Sequence, residues 1–199
     1  MSAEAAPKKL WTPAEYLAWE RAAPERHELV DGEIFAMAGA SFAHNKIVGN
    51  VVGELRQALR GRPCDVTPSD LRVRIPTPSG GLYTYPDALV VCGEPEFEDT
   101  ARDTLLNPTV IVEVLSDSTE AYDRGRKFRY YRAIPSLREY VLVAQDVPAV
   151  ERHVRGDGGV WSLMQDLGAG DTLVLSSVGC EVSVDELYLK VFAAVAAGT

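Results

Sequence analysis

Cysteine is scarce in this chain: three residues in 199, Cys64, Cys92 and Cys180, odd in number and widely spaced. No CxxC pair or Cys/His cluster is present, so the ligand spacing of a structural zinc site is missing. The three read as buried reduced thiols, which points to the cytoplasm. Long apolar runs are missing as well. No stretch approaches the roughly 20 apolar residues of a membrane helix, and the opening "MSAEAAPKKLWTP" lacks the apolar core of a secretory leader. The expectation is a soluble cytoplasmic protein with no membrane partner. Neither GxGxxG nor GxxxxGK[ST] occurs, which removes the best-known phosphate cradles. Positive charge is in deficit: 20 basic residues against 29 acidic ones give −9. That balance opposes the usual footprint of a nucleic-acid binder and leaves only a local basic patch to serve one.

With 46% hydrophobic residues over 199, the chain can bury a substantial core. We expect a disordered tail over 1–10 and a single domain over 11–199. Thr12-Pro13-Ala14-Glu15 has the grammar of a helix start, with a capping threonine, proline at the first helical position and an early acid. "HELVDGEIFAMAG" places two strands around Asp31-Gly32, a hairpin signal. From Phe42 to Leu59 the apolar residues Ile47, Val48, Val51, Val52, Leu55 and Leu59 recur at helical spacing.

"CDVTPSDLRVRIPTP" reads as a strand reaching Ile75, with a turn at Pro78-Ser79-Gly80-Gly81, and "YTYPDALVVCG" as the next strand. The acidic "EPEFEDTARDTLLN" reads as a solvated loop. A strand with Glu113, a helix over Thr119–Ile134 closed by Pro135, further strands and a terminal helix over Val184–Ala197 complete the order. This is mixed α/β (α+β) and not a regular βαβ alternation.

One residue breaks the apolar grammar. Glu113 sits inside "VIVEVL", a β-branched run expected to be covered on both faces, where a lone carboxylate needs a partner. Asp87, after Pro86, opens the preceding strand. If the two strands are neighbours, their carboxylates meet, and two adjacent carboxylates do not both stay ionised cheaply without a proton or cation between them. Mg²⁺ takes one or two protein carboxylates plus waters and phosphate oxygens, so the pair suits phosphodiester chemistry. Lys127, on the following helix, would orient or help deprotonate an attacking water if that helix folds back. Glu28 and Asp70 interrupt other strand patterns and are candidates to complete the acidic cluster.

Each residue has a plainer reading. Glu113 could pair with Arg72 or Arg74, Asp123 could be a first-turn helix acid, and Glu28 and Asp70 could pair with nearby arginines. His44 could cap a helix or contact the acids or a phosphate. "DRGRKFRYYR" carries five basic residues whose face suits nucleic acid, whereas its aromatics at helical spacing read as core.

Pro86-Asp87, Glu113 in "IVEVLS", Asp123 and Lys127 in "DRGRK", and "SLREYVLV" resemble the Uma family, grouped with the PD-(D/E)XK restriction-endonuclease-like superfamily. The resemblance runs from Trp11 to Leu187 and includes "HELVDGEI", "AGASFAHNKIVGN" and "PSDLRVRI". It implies a restriction-endonuclease-like core, a central mixed β-sheet flanked by helices, here with an N-terminal hairpin and extra C-terminal strands. It also implies Asp87 and Glu113 as ligands of Mg²⁺ or Mn²⁺, with Glu28 and Asp70 as auxiliary acids. The superfamily's lysine two residues past the glutamate is here Leu115, and the resemblance hands its role to Lys127. The expected activity is a metal-dependent endonuclease acting on nucleic acid, DNA first, as a possible homodimer. The alternatives are a catalytically degenerate nuclease scaffold that binds or regulates, and a phosphoesterase acting on nucleotides.

Overall fold

The structure, a computed structural model, describes residues 9–77 and 81–192. The expected tail over 1–10, the Pro78-Ser79-Gly80 turn and the last part of the terminal helix therefore lie largely outside the described residues. Helix α1 (Pro13–Glu20) starts as expected, with Thr12 and Glu15 bonded reciprocally in a capping box. The hairpin of β1 (His27–Val30) and β2 (Glu33–Ala36) turns at Asp31 and Gly32, at φ 51° and 82°. Both positive values match the two-residue turn that follows the strands' own twist. Helix α2 (Phe42–Ala58) begins at the cap Ser41 and buries Ile47, Val48, Val51 and Leu55 on one face.

Two expected strands are each broken in the structure. β3 (Cys64–Pro68) and β4 (Arg72–Ile75) belong to different sheets, as do β5 (Leu82–Thr84) and β6 (Ala88–Cys92). The breaks fall at Pro68 and Pro86, where a missing N–H ends a ladder. The acidic linker is also more than a solvated loop. It contains β7 (Thr104–Leu105), buried and parallel to β4, and its Asp99 and Asp103 fasten Arg21, with Asp103 also pairing Arg72.

Strand β8 (Val110–Leu115) is buried along its whole length. It leads into one helical stretch in three pieces: α3 (Glu120–Tyr122), a π-helical turn over Asp123–Lys127, and α4 (Phe128–Tyr131). Then come β9 (Glu139–Ala144), β10 (Ala149–Arg155), β11 (Trp161–Gly168), β12 (Thr172–Leu175), β13 (Cys180–Ser183) and the short α5 (Val184–Leu187). The terminal helix is shorter than the periodicity predicts. It gives way to turns, and Lys190 lies at φ 58°, which no right-handed helix accommodates.

The main sheet runs β11-β10-β9-β8-β6-β3, with β8 and β9 parallel and its other neighbours antiparallel. A second sheet runs β2-β1-β5-β4-β7. The pleat of β8 separates two cores. Val110, Val112 and Val114 pack with α2, the β12–β13 hairpin and α5, while Ile111 and Leu115 pack with the second sheet and with Tyr131 and Tyr140. Glu113, in phase with Ile111 and Leu115, falls on the second face.

The reduced-thiol expectation fails for two of the three cysteines. Cys64 and Cys92 are paired in register across β3 and β6 and form a disulfide, while Cys180 is free and buried. The partners are 28 residues apart, and only the strand pairing brings them together. The compartment argument from reduced thiols loses its premise there. Among the described residues no helix is long and apolar enough to cross a membrane.

Candidate functional site

Because Ala88 pairs with Val112 in the antiparallel β6–β8 ladder, one further step places Asp87 opposite Glu113 at the end of the pairing. The Asp87 carboxylate is fixed from two sides: Oδ2 accepts the Val114 N–H at 2.8 Å, and Oδ1 lies 3.1 Å from His44 Nε2. His44 therefore does two things, its backbone N–H bonding the Ser41 cap and its ring meeting Asp87.

Glu113 is 3% exposed, and the arginines proposed as its partners are elsewhere: Arg72 pairs with Asp103 and Arg74 with Glu98. The plain buried ion pair is instead made by Glu139, which meets Arg152 at 2.5 Å. Glu113 Oε1 accepts from Tyr131 Oη at 2.7 Å and from Lys127 Nζ at 2.9 Å. The helix does fold back over the strand, and Lys127 is buried by it. Its ammonium also lies 3.6 Å from Glu28 and 3.5 Å from Asp123. Glu28 in turn accepts a bond from the Thr84 hydroxyl, and Thr84 is 3.5 Å from Tyr131 Oη.

The π-helical turn spans Asp123 to Lys127, so both of its ends contribute to the cluster. The Phe128 N–H reaches back five residues to the Asp123 carbonyl, the mark of a widened turn. Such turns recur at functional sites because they re-aim side chains within a continuous helix. The expected Asp70 is not brought in. It is largely exposed in the turn after β3, with Arg26 at 3.8 Å as its ion-pair partner.

Three carboxylates surround one ammonium, with Asp87 a fourth close by. Burial, with the Asp87 charge adding to it, pushes the Glu113 carboxyl up to about 8 against the pull of Lys127. Burial raises Asp123 also. Desolvation works against the Lys127 charge, yet Glu113, Glu28 and Asp123 outweigh it and hold the ammonium well above its ordinary value. The cluster therefore carries an excess of negative charge that a proton relieves.

Sequence reasoning missed Thr84 and Tyr131. Tyr131 had a usable signal, since it lies four residues after Lys127 and so shares its helix face. Thr84 had none beyond being polar within a short strand.

The chain resembles known proteins over most of its length. A family model, Uma2, described as "Putative restriction endonuclease", matches residues 13–185. Two proteins of Synechocystis sp. (strain ATCC 27184 / PCC 6803 / Kazusa) are similar. Uncharacterized protein slr1290 is 39% identical over 92% of this chain and 94% of its own length. Uncharacterized protein sll1609 is 38% identical over 80% of this chain and 89% of its own length. A crystal structure from Anabaena variabilis ATCC 29413, titled as a putative nuclease belonging to DUF820, superposes with a TM-score of 0.71 at 17% identity, covering 94% of this chain and 100% of that one. That likeness shows that the two chains share a fold. By the extent of the family match and of the relatives, this chain belongs to the Uma2 family.

Proposed function

We propose that this protein is a nuclease that hydrolyses phosphodiester bonds in nucleic acid with the help of Mg²⁺ or Mn²⁺. The observation that carries the reading is the meeting of Asp87 and Glu113 across β6 and β8, with Lys127 bonded to Glu113 at 2.9 Å.

The donor set fits a hard divalent ion. Among the described residues no three His, Cys, Asp or Glu side chains form a ready-made metal cage. Mg²⁺ does not require one, because it keeps waters and shares phosphate oxygens with its substrate. Asp87 and Glu113 are the residues that would hold it. When bound, the ion supplies an acidified water and charge stabilisation at phosphorus.

The chain's own groups prepare that site. The Val114 N–H and His44 fix the Asp87 carboxylate, and Tyr131 and Lys127 hold one oxygen of Glu113. Lys127 keeps its proton and offers positive charge where negative charge develops on the substrate. Glu28 and Asp123 steady that ammonium. The test is cleavage of plasmid DNA and of labelled single-stranded DNA and RNA with added Mg²⁺ or Mn²⁺. Activity in the wild type, lost in Asp87→Asn with the thermal midpoint preserved, supports the reading; an Asp87→Asn protein as active as wild type overturns it.

A degenerate scaffold that binds without cutting is the second reading. The observation favouring it is that Leu115 stands where the superfamily has lysine while Lys127 is already engaged by three acids. Nucleic-acid binding without turnover under every metal condition would favour it.

A further inference from the structure

The segment "DRGRKFRYYR" carries five basic residues from Arg124 to Arg132, and the structure divides them into two groups. Arg124 is neutralised by Glu120 and Glu151, Arg126 by Asp31, and Lys127 by the candidate site. Arg129 and Arg132 are different: both are exposed, and no described carboxylate pairs with them. They lie three residues apart, on the same side of the helix end.

Two further arginines join them. Arg155, at the end of β10, turns its guanidinium onto the chain just past α4, donating Nη1 to the carbonyls of Ile134 at 2.8 Å and Pro135 at 3.0 Å, and Nη2 to the carbonyl of Arg132. Its backbone N–H bonds the Arg138 carbonyl at 2.8 Å. Arg155 thus ties the backbones of Arg132 and Arg138 together, and Arg138 is also exposed with no described carboxylate partner. Burial lowers the Arg155 guanidinium from its ordinary value, and the charges of Arg138 and Arg132 lower it further. A chain with 29 acids has placed none of the described ones to neutralise this corner.

We propose that Arg129, Arg132 and Arg138, braced by Arg155, form a surface on which the phosphate backbone of a nucleic-acid substrate docks. The inference rests on the nuclease reading and adds to it the place where substrate is held. Exposed guanidinium forks without carboxylate partners are free to match phosphate oxygens. Arg132, which caps α4, follows Lys127 by five residues, about 7.5 Å along the helix axis at ~1.5 Å per residue, and faces away from the buried Lys127, towards the end of β8 that Arg138 meets at Thr109. The local patch also explains how a chain of net charge −9 would approach nucleic acid at all.

The test uses the full chain and fluorescently labelled single- and double-stranded DNA and RNA in EDTA, with affinity measured by anisotropy over a range of KCl. Arg132→Gln/Arg138→Gln is compared with wild type and with Arg56→Gln/Arg60→Gln, which removes the same charge from exposed positions in the last turn of α2 and just past its end. For the best-bound ligand, the first variant should lose about tenfold or more in affinity and flatten the salt slope by about 1.4 for a single strand or 1.8 for a duplex. The α2 variant should stay within about threefold of wild type at the same salt. Equal losses in the two variants, no loss in either, or a wild type that binds none of the ligands would overturn the proposal. So would a change of oligomeric state in Arg132→Gln/Arg138→Gln with nucleic-acid binding intact, which would assign the surface to a second copy. Cleavage by wild type, measured separately with Mg²⁺ or Mn²⁺, keeps the two readings apart. Binding that depends on the arginines without any cleavage supports this surface and sinks the nuclease, and cleavage with unchanged affinity and salt slope in the variant does the reverse.

Discussion

Lys127 Nζ lies 2.9 Å from Glu113 Oε1, deep enough that neither group meets bulk water to any extent. A buried ammonium with Glu28 and Asp123 also within 4 Å is over-supplied with negative charge. Removing the cation should therefore hurt more than removing one acid. Lys127→Met is expected to lower any cleavage rate by roughly 10²-fold or more. It should also destabilise the protein by about 3 kcal/mol, because it leaves carboxylates buried without their counter-charge. Chemical denaturation and a single-turnover assay check the two effects separately.

Tyr131 donates to the same Glu113 oxygen while sitting wholly inside the core. Tyr131→Phe keeps the packing and removes one hydroxyl. It should weaken divalent-ion affinity about tenfold, as loss of an orienting bond to a ligand does, with a stability cost of about 1 kcal/mol. Metal titration of the folded variant measures this.

The Glu113 carboxyl, pushed by burial to about 8 in the folded protein, takes up a proton that the unfolded chain releases at ordinary carboxyl values. The folded state binds more protons between those two values, so this group's contribution favours the fold at low pH and is lost as pH rises towards about 8. Wild type should lose stability relative to Glu113→Gln between roughly pH 5 and pH 8. Urea denaturation across that range, without metal, gives the slope; parallel curves would contradict the assignment.

Away from the site, Arg72 is 3% exposed and spends its donors on Thr104, Tyr85 and Asp103. Bonds from Arg21 hold the Asp103 carboxyl below its usual range, against the effect of its own burial, and Arg72 assists. This contribution is present above the ordinary carboxyl value and disappears as pH falls through the lowered one. Asp103→Ala leaves the Arg72 guanidinium short of a partner and should cost about 2 kcal/mol at neutral pH, measured by urea denaturation.

The disulfide closes a separation of 28 residues between Cys64 and Cys92. Cys64→Ser/Cys92→Ser should cost about 3 kcal/mol, chiefly through the freedom restored to the unfolded chain. The site lies at the other end of β6, so cleavage by the folded variant should be unchanged. Reduction that leaves the denaturation midpoint untouched would contradict the bridge.

Much of this molecule was legible in the sequence for local reasons. The capping box at Thr12, the Asp31-Gly32 turn and the periodicity of α2 are written within a few residues each, and all three form. Glu113 and Asp87 were legible because a charge in an apolar run is costly and demands explanation. What was hidden depends on pairing between distant segments. The breaks at Pro68 and Pro86 split apparent strands between two sheets, and the disulfide follows from the resulting register. The exclusion of Asp70 follows from the first of those breaks, which leaves it in an exposed turn. The role of Tyr131 depended on the helix folding back, a tertiary event that no local pattern announces.

The most direct test is calorimetric titration of Mn²⁺ into wild type, Asp87→Asn and Glu113→Gln, alone and with a non-hydrolysable oligonucleotide analogue bound. The account predicts saturable binding in the wild type, at least with the oligonucleotide present, and its loss in both variants with the fold intact. Binding of equal strength in all three proteins, or none in the wild type under either condition, would contradict a metal held between Asp87 and Glu113.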